Sequence, residues 1–224
     1  MTRILAIETA GETCSVALAQ GDQIVELFED APRRQTERVL PMVQQLLADA
    51  QVSLRQLDAI AFGHGPGAFT GVRVAAAVTQ GLAFSADLPV VGVSTLAACA
   101  LGAWQQFGHR HVLAAFDARM GELYLGAYAC AAGQVKAVLA DSLHKPEALP
   151  ALAQQDWLVA GSGVIHEQAL RQAYGSQQLI ADLHPHAAAI AELARPRVLA
   201  GETVSAEQAQ PVYLRDQVIQ GAVR

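Results

Sequence analysis

Ile4-Leu5-Ala6-Ile7-Glu8-Thr9-Ala10-Gly11-Glu12-Thr13-Cys14-Ser15-Val16-Ala17-Leu18-Ala19-Gln20-Gly21-Asp22-Gln23-Ile24-Val25-Glu26-Leu27-Phe28 opens the chain with three apolar runs and two polar turns. The first run, Ile4 to Glu8, ends on an acid. Residues 9–13 are rich in turn formers, and Ser15 to Ala19 makes the second run. Gly21-Asp22 then leads into Ile24 to Phe28. A Gly-Asp pair between two apolar runs reads as a hairpin, because a tight two-residue turn needs positive φ. The stretch therefore predicts a β-meander. A second one follows in the C-terminal half: strand His111 to Phe116, turn Asp117 to Gly121, strand Glu122 to Cys130, turn at Gly133 and strand to Leu139.

Between the two meanders the pattern alternates. Val39, Val43, Leu46, Leu47 and Ala50 recur at helical spacing, which predicts a helix over 36–50 with Thr36 as N-cap and Pro41 kinking it or delaying its start. Leu57 to Phe62 reads as a buried strand. Gly63-His64-Gly65-Pro66-Gly67-Ala68-Phe69-Thr70-Gly71 is too rich in glycine for regular structure. Thr70 is positioned to cap a helix over 71–85, and that helix carries Val or Ala on nearly every side, so it needs cover on more than one face. Pro89 to Val93 reads as a strand, Ser94 as the cap of a helix from Thr95, and Trp104 to His109 as a hinge.

After the second meander, a short helix is expected over 146–154, a strand over 157–160, and helices over 164–173 and 187–193. Residues 210–215 read as strand-like or extended. Strands followed by alternating helix and strand, twice over, predict an α/β protein of two related lobes, the second reduced. The division falls at 1–108 and 109–224, with the terminal helix able to pack back on the first lobe. Duplicated lobes of this kind point to the actin/sugar-kinase-like (ASKHA) superfamily.

Composition excludes several function classes. The chain is 224 residues long with a net charge of −6, thirteen arginines and only Lys136 and Lys145 as lysines. RNA affinity rests on neutralising phosphates, so an acidic chain without a basic run is a poor RNA binder by itself, and any role on RNA would need a basic partner. The three cysteines, Cys14, Cys99 and Cys130, form no CxxC pair, and no two histidines stand at i, i+4; neither a disulfide framework nor a metal site is indicated. Histidine pairs at 109/111 and 184/186 are spaced so that a helix would not bring them to one face. No window approaches ~18 uninterrupted apolar residues, and the N-terminus turns acidic too soon for a signal peptide, so a cytoplasmic protein without a membrane span is expected.

Few residues stand out as chemical. Glu8, Thr9 and Thr13, at the end of the first strand, are the weak candidates for a nucleotide or its metal. The 63–73 loop fails as a P-loop, since Gly71 is followed by Val72 rather than Lys. An anion on its backbone N–H groups is one reading; tight backbone packing against a neighbouring chain or lobe is the better one. Ser94, Ser162 and Cys99 are nucleophiles by type only, with no GxSxG setting.

Residues 4–10, Gly65-Pro66-Gly67-Ala68-Phe69-Thr70-Gly71-Val72-Arg73, Gly81-Leu82-Ala83, Gly92-Val93-Ser94-Thr95-Leu96, Asp117-Ala118-Arg119-Met120-Gly121-Glu122-Leu123-Tyr124 and Pro211-Val212-Tyr213-Leu214-Arg215 together resemble the bacterial TsaB family, in order and spacing over nearly the whole chain. Position 8 is Glu where that family usually has Asp, and Ala68 stands for the usual Ser. The resemblance implies an ASKHA-like fold and a non-catalytic role beside the TsaD paralogue in threonylcarbamoyl transfer to N6 of adenosine 37 of tRNA. It further implies that the ATPase TsaE joins them, that the complex uses ATP while this chain holds no tight cofactor and no metal, and that the chain alone is a homodimer. TsaD holds its metal through an HxxxH pair, which this sequence lacks. A small-molecule kinase or ATPase of the same superfamily is the alternative. The expected partner interface lies on the 36–50 and 71–85 helices: Val39, Val43, Leu46, Leu47, Arg73, Ala76, Ala77 and Gln80.

Overall fold

β1 (Arg3–Glu8) is the centre of a five-stranded sheet. β2 (Thr13–Gln20) pairs antiparallel with it, and β3 (Gln23–Asp30) antiparallel with β2. On the other side β4 (Ala59–Gly65) and β5 (Val90–Ser94) add in parallel, giving the order β3-β2-β1-β4-β5. The computed structural model describes residues 1–153, 156–175 and 178–215. A second sheet repeats the plan around β6 (His111–Arg119). β7 (Glu122–Ala131) and β8 (Gln134–His144) are its antiparallel side, β9 (Trp157–Ala160) and β10 (Gln178–Ile180) its parallel side. Its order, β10-β9-β6-β7-β8, is the same topology, so the two lobes expected from the repeated meander are present.

Both faces of the first sheet are covered, which is why β1 reads as a continuous apolar run rather than an alternation. Leu5 and Ile7 face one core together with Cys14, Val16 and Leu18. Ile4 and Ala6 face the other with Ala17 and Ala19. The first core is closed by α1 (Gln35–Asp49) and α2 (Phe69–Ala86). The second is closed by α5 (Ala187–Leu199), which packs on β1, β2, β4 and β5 and returns the C-terminal half to the first sheet. α3 (Thr95–Phe107) lies between the sheets, with Leu96, Cys99 and Ala100 against the second sheet and Ala98 and Leu101 against the first. α4 (Glu167–Tyr174) covers the far face of the second sheet through Leu170.

Several boundaries differ from expectation for identifiable reasons. α1 starts at Gln35 with Arg34 as N-cap, so Thr36 is inside it, and Pro41 is carried on its exposed side. α2 starts at Phe69, not Gly71, and its N-cap is Ala68 rather than Thr70. The residue that sets this start is remote: the Ala68 N–H donates to the Ala10 carbonyl at 2.7 Å. Trp104 to Phe107 form the last turn of α3 and not a hinge; the helix ends on Gly108, whose φ of 73° needs no Cβ. Ser94 does cap α3, accepting from the Ala97 N–H at 3.0 Å.

The short helix expected over 146–154 is a single 3₁₀ turn, Pro146–Ala148, and residues 154 and 155 lie outside the described residues. Gly161-Ser162-Gly163 leads first into a 3₁₀ turn, Ser162–His166, before α4. α5 continues past residue 193 and through Pro196 to Leu199. Residues 210–215 form no strand with the described residues, and the Val212 N–H anchors them on the His64 carbonyl at 2.8 Å.

The glycine loop is explained by packing within its own lobe. A Cβ at Gly71 would lie 2.1 Å from the Thr9 carbonyl oxygen, and one at Gly67 2.6 Å from that of Ala10. The turn after β1 and the start of α2 approach too closely for any side chain. Gly71→Ala should therefore lower stability by about 2 kcal/mol, since overpacking against backbone cannot relax by a rotamer change. Chemical denaturation would show it as a lower midpoint at unchanged slope; a midpoint within error of wild type contradicts the packing reading.

Candidate functional site

The turns that follow the first strand of each sheet face one another across a cleft of about 590 Å³. The first lobe supplies residues 10–12 and the loop 66–69. The second supplies residues 116–120, Ser162 and Ile165, and segments 183–185 and 212–215 close the remaining sides. Arg119 on one turn lies 3.9 Å from Glu12 on the other. The lining is mostly apolar, with Phe69, Phe116, Met120 and Tyr213 among it.

Glu8, the expected nucleotide-site acid, does not line this cleft. It is fully buried, one carboxylate oxygen accepts the Ala10 N–H at 2.5 Å, and the other has no hydrogen-bond partner among the described residues. A Cβ at Gly63 would sit 1.7 Å from that second oxygen, so Gly63 leaves the space the Glu8 side chain fills. Burial pushes its pKa up to about 8, so at neutral pH the group is mainly an uncharged acid. Thr9 is also buried, its hydroxyl donating to the Gly71 carbonyl at 2.8 Å. Thr13 is buried with no partner for its hydroxyl among the described residues. All three serve the junction of β1, β2 and α2, and the cleft is lined instead by their neighbours Ala10, Gly11 and Glu12.

The polar groups that do shape the cleft come from distant segments. Asp117 holds its own tight turn by accepting the Arg119 N–H at 2.8 Å, while its N–H donates to the Ser162 hydroxyl at 3.1 Å. Ser162 thus ties two cleft loops together. Arg215 pairs with the Glu122 carboxylate and reaches the Ala118 carbonyl, pinning segment 211–215 to the Asp117 turn. His184 lines the cleft, while His186 bonds Glu26 at 2.9 Å and stacks on Phe28, fixing the start of α5 to β3.

Neither remaining nucleophile type is poised for attack. Ser94 donates to Asp141 at 2.5 Å, and Tyr128 donates to the other Asp141 oxygen, a tie between the two sheets. A Cβ at Gly126 would come 2.7 Å from Asp141, so this glycine leaves room for the half-buried acid. Burial raises the Asp141 pKa. Cys99 is buried beneath Leu183, its thiol pushed up to about 12. Among the described residues no group of three or more His, Cys, Asp or Glu side chains is placed to hold a metal ion.

The helices chosen as a partner surface divide sharply. Val39, Val43 and Leu46 are 0%, 2% and 1% exposed and belong to the core under the first sheet, as does Ala76 at 4%. Their helical period marked the face that the chain's own sheet covers, so these four are unavailable to a partner. Leu47 is partly buried against that core. Gln80 donates its amide to the Ala209 carbonyl at 3.0 Å, where the 3₁₀ turn Ala206–Gln208 flanks α2. What remains outside is a stripe along α2 of Arg73, Ala77, Gly81 and Phe84, with Leu40 exposed on α1. Phe84 is 75% exposed and Leu40 44%.

Two mixed sheets of one topology, with a cleft between their matching turns, define an α/β protein of the actin/sugar-kinase-like class. A family model described as "TsaD: tRNA N6-adenosine threonylcarbamoyltransferase" matches residues 29–220. The chain is 42% identical over 221 residues to the tRNA threonylcarbamoyladenosine biosynthesis protein TsaB of Escherichia coli K12, covering 96% of each. It is 37% identical over 226 residues to the TsaB protein of Haemophilus influenzae, covering 96% of this chain and 94% of that one. The solved structure of YeaZ from Pseudomonas aeruginosa superposes with a TM-score of 0.91 at 43% identity, over 96% of this chain and all of that one. The chain belongs to the TsaB family, within the wider TsaD family.

Proposed function

We propose that this chain is the non-catalytic partner of a TsaD paralogue in threonylcarbamoyl transfer to N6 of adenosine 37, in tRNAs that read codons beginning with A. The observation that carries the reading is the placement of Glu8. The class keeps an acid at the end of its first strand beside the nucleotide's metal; here that acid is buried in the core, mainly uncharged at neutral pH, and outside the cleft. Phosphoryl transfer needs a carboxylate free to hold a metal at the cleft, and the acids on its facing turns, Glu12 and Asp117, both face Arg119, which argues against a small-molecule kinase. The exposed α2 stripe, with a large aromatic at one end, is instead suited to a partner's helix.

In this reading the free chain is a homodimer that exchanges for TsaD across the same α1/α2 face. TsaE joins the pair, ATP is consumed by the complex, and tRNA is met through the complex. No helix of the described residues is long and apolar enough to cross a membrane, and the cytoplasm is the compartment proposed. Light scattering of an equimolar mixture with TsaD should give one species of summed mass, and titration of the isolated chain with ATP should give no tight binding. Two separate peaks, or micromolar ATP affinity with turnover, would reject the partner reading.

A further inference from the structure

Residues 211–215 pass from one lobe to the other along the cleft, and Val212 to Arg215 line it. The first-lobe end is held by backbone and stacking. The Val212 N–H bonds the His64 carbonyl at 2.8 Å. The Val212 carbonyl oxygen lies where a Cβ at Gly65 would be 3.0 Å away, and Gly65 itself has a φ of 109°, so a glycine is needed there on both counts. The Tyr213 ring lies 6.3 Å from that of Phe69. The Arg73 guanidinium carbon braces both rings, 3.2 Å from the Phe69 centre and 5.1 Å from that of Tyr213. The second-lobe end hangs on Arg215. Its guanidinium pairs with Glu122, donates to the Ala118 and Arg119 carbonyls at 3.3 and 3.5 Å, and reaches the Met120 sulfur at 3.3 Å.

We propose that residues 211–215 are an interlobe strap, with Arg215 on Glu122 as its latch: the closed latch sets the width of the cleft, and its release lets the lobes swing apart. The inference is independent of the partner reading above. Two ion pairs join the lobes at the cleft, and they are unequal. The Arg215 and Glu122 side chains are only 19% and 23% exposed, so solvent screens their attraction weakly. Arg119 and Glu12 stand 3.9 Å apart at 78% and 76% exposure, and a pair so open to water contributes little. α3 and the Ser94–Asp141 bond also join the lobes, but they do not line the cleft, which makes them the pivot. A motion about such a pivot is hinge closure, and the latch decides its end point.

The test measures the distance between spin labels on cysteines introduced at Thr36 and Gln168, both exposed, one in each lobe. Cys14, Cys99 and Cys130 are buried, so labelling is confined to the new sites. Dilution into unlabelled protein restricts the signal to distances within one chain. The otherwise wild-type chain should give one narrow distribution. Arg215→Ala and Glu122→Gln should each add a population at longer distance, while Glu12→Gln, which breaks only the exposed pair, should leave the distribution unchanged. Glu122→Gln keeps the side-chain volume and the carbonyl contacts of Arg215, so it decides the matter if Arg215→Ala does not melt cooperatively. Wild-type distributions in the latch variants would overturn the inference. Opening by Glu12→Gln equal to that by Glu122→Gln would overturn it too, because the spacing would then follow the general charge balance of the cleft and not the strap.

Discussion

Ala77→Arg should abolish association with the TsaD paralogue while the protein remains folded. Ala77 is exposed in the middle of the α2 stripe, between Arg73 and Gly81, so the isolated chain tolerates a long side chain there. In a close helix–helix contact the same arginine would be desolvated without a partner. An uncompensated charge in such a contact costs about 3 kcal/mol or more, roughly a hundredfold in affinity. Circular dichroism and melting should match wild type; titration with TsaD should not. Ala76→Arg is a poorer probe, because Ala76 belongs to the chain's own core and its replacement unfolds the protein before any partner is tested. A folded Ala77→Arg variant that binds TsaD as wild type does would place the interface elsewhere.

Glu8→Gln should remove about 3 kcal/mol of pH dependence from folding stability between pH 5 and 8. The folded-state pKa is raised by burial from the usual 4.5 to about 8. Below pH 4.5 the group is protonated in both folded and unfolded chains and costs nothing. As pH rises from there to 8, the unfolded chain releases the proton and the folded one retains it, so stability falls. Above pH 8 both states are ionised and the loss levels off. His64, pushed down to about 4 by burial, acts with opposite sign below its usual pKa, so the informative quantity is wild type minus variant at each pH. Denaturation from pH 5 to 8 should show that difference growing in the variant's favour. Parallel stability curves would mean that Glu8 is ionised in the folded protein.

Elements with local signals were legible in the sequence. The Gly21-Asp22 hairpin, the Ser94 cap and both meanders depend on residues adjacent in the chain, and each is present. Features fixed by remote partners were not. The start of α2 depends on the Ala10 carbonyl, and the walls of the cleft on segments 183–185 and 212–215. β10 was invisible because three residues show no periodicity. Glu8 reads from the sequence as a candidate for a nucleotide or its metal, and only its contact with Gly63 reveals that it turns inward. On α1, helical spacing correctly identified an apolar stripe in Val39, Val43 and Leu46. Periodicity says that such a stripe is covered, and not by what; here the chain's own sheet covers it.

The most direct measurement is threonylcarbamoyl transfer to tRNA in a reconstituted mixture of TsaD, TsaE, ATP, the threonylcarbamoyl adenylate and this chain, with components omitted one at a time. Modified adenosine should form in the full mixture, fall to background when either TsaD or this chain is left out, and fall likewise when Ala77→Arg replaces wild type. Glu8→Gln, which touches only the core, should support transfer at the wild-type rate. Transfer at full rate without this chain, or transfer by this chain without TsaD, would contradict its assignment as the non-catalytic partner.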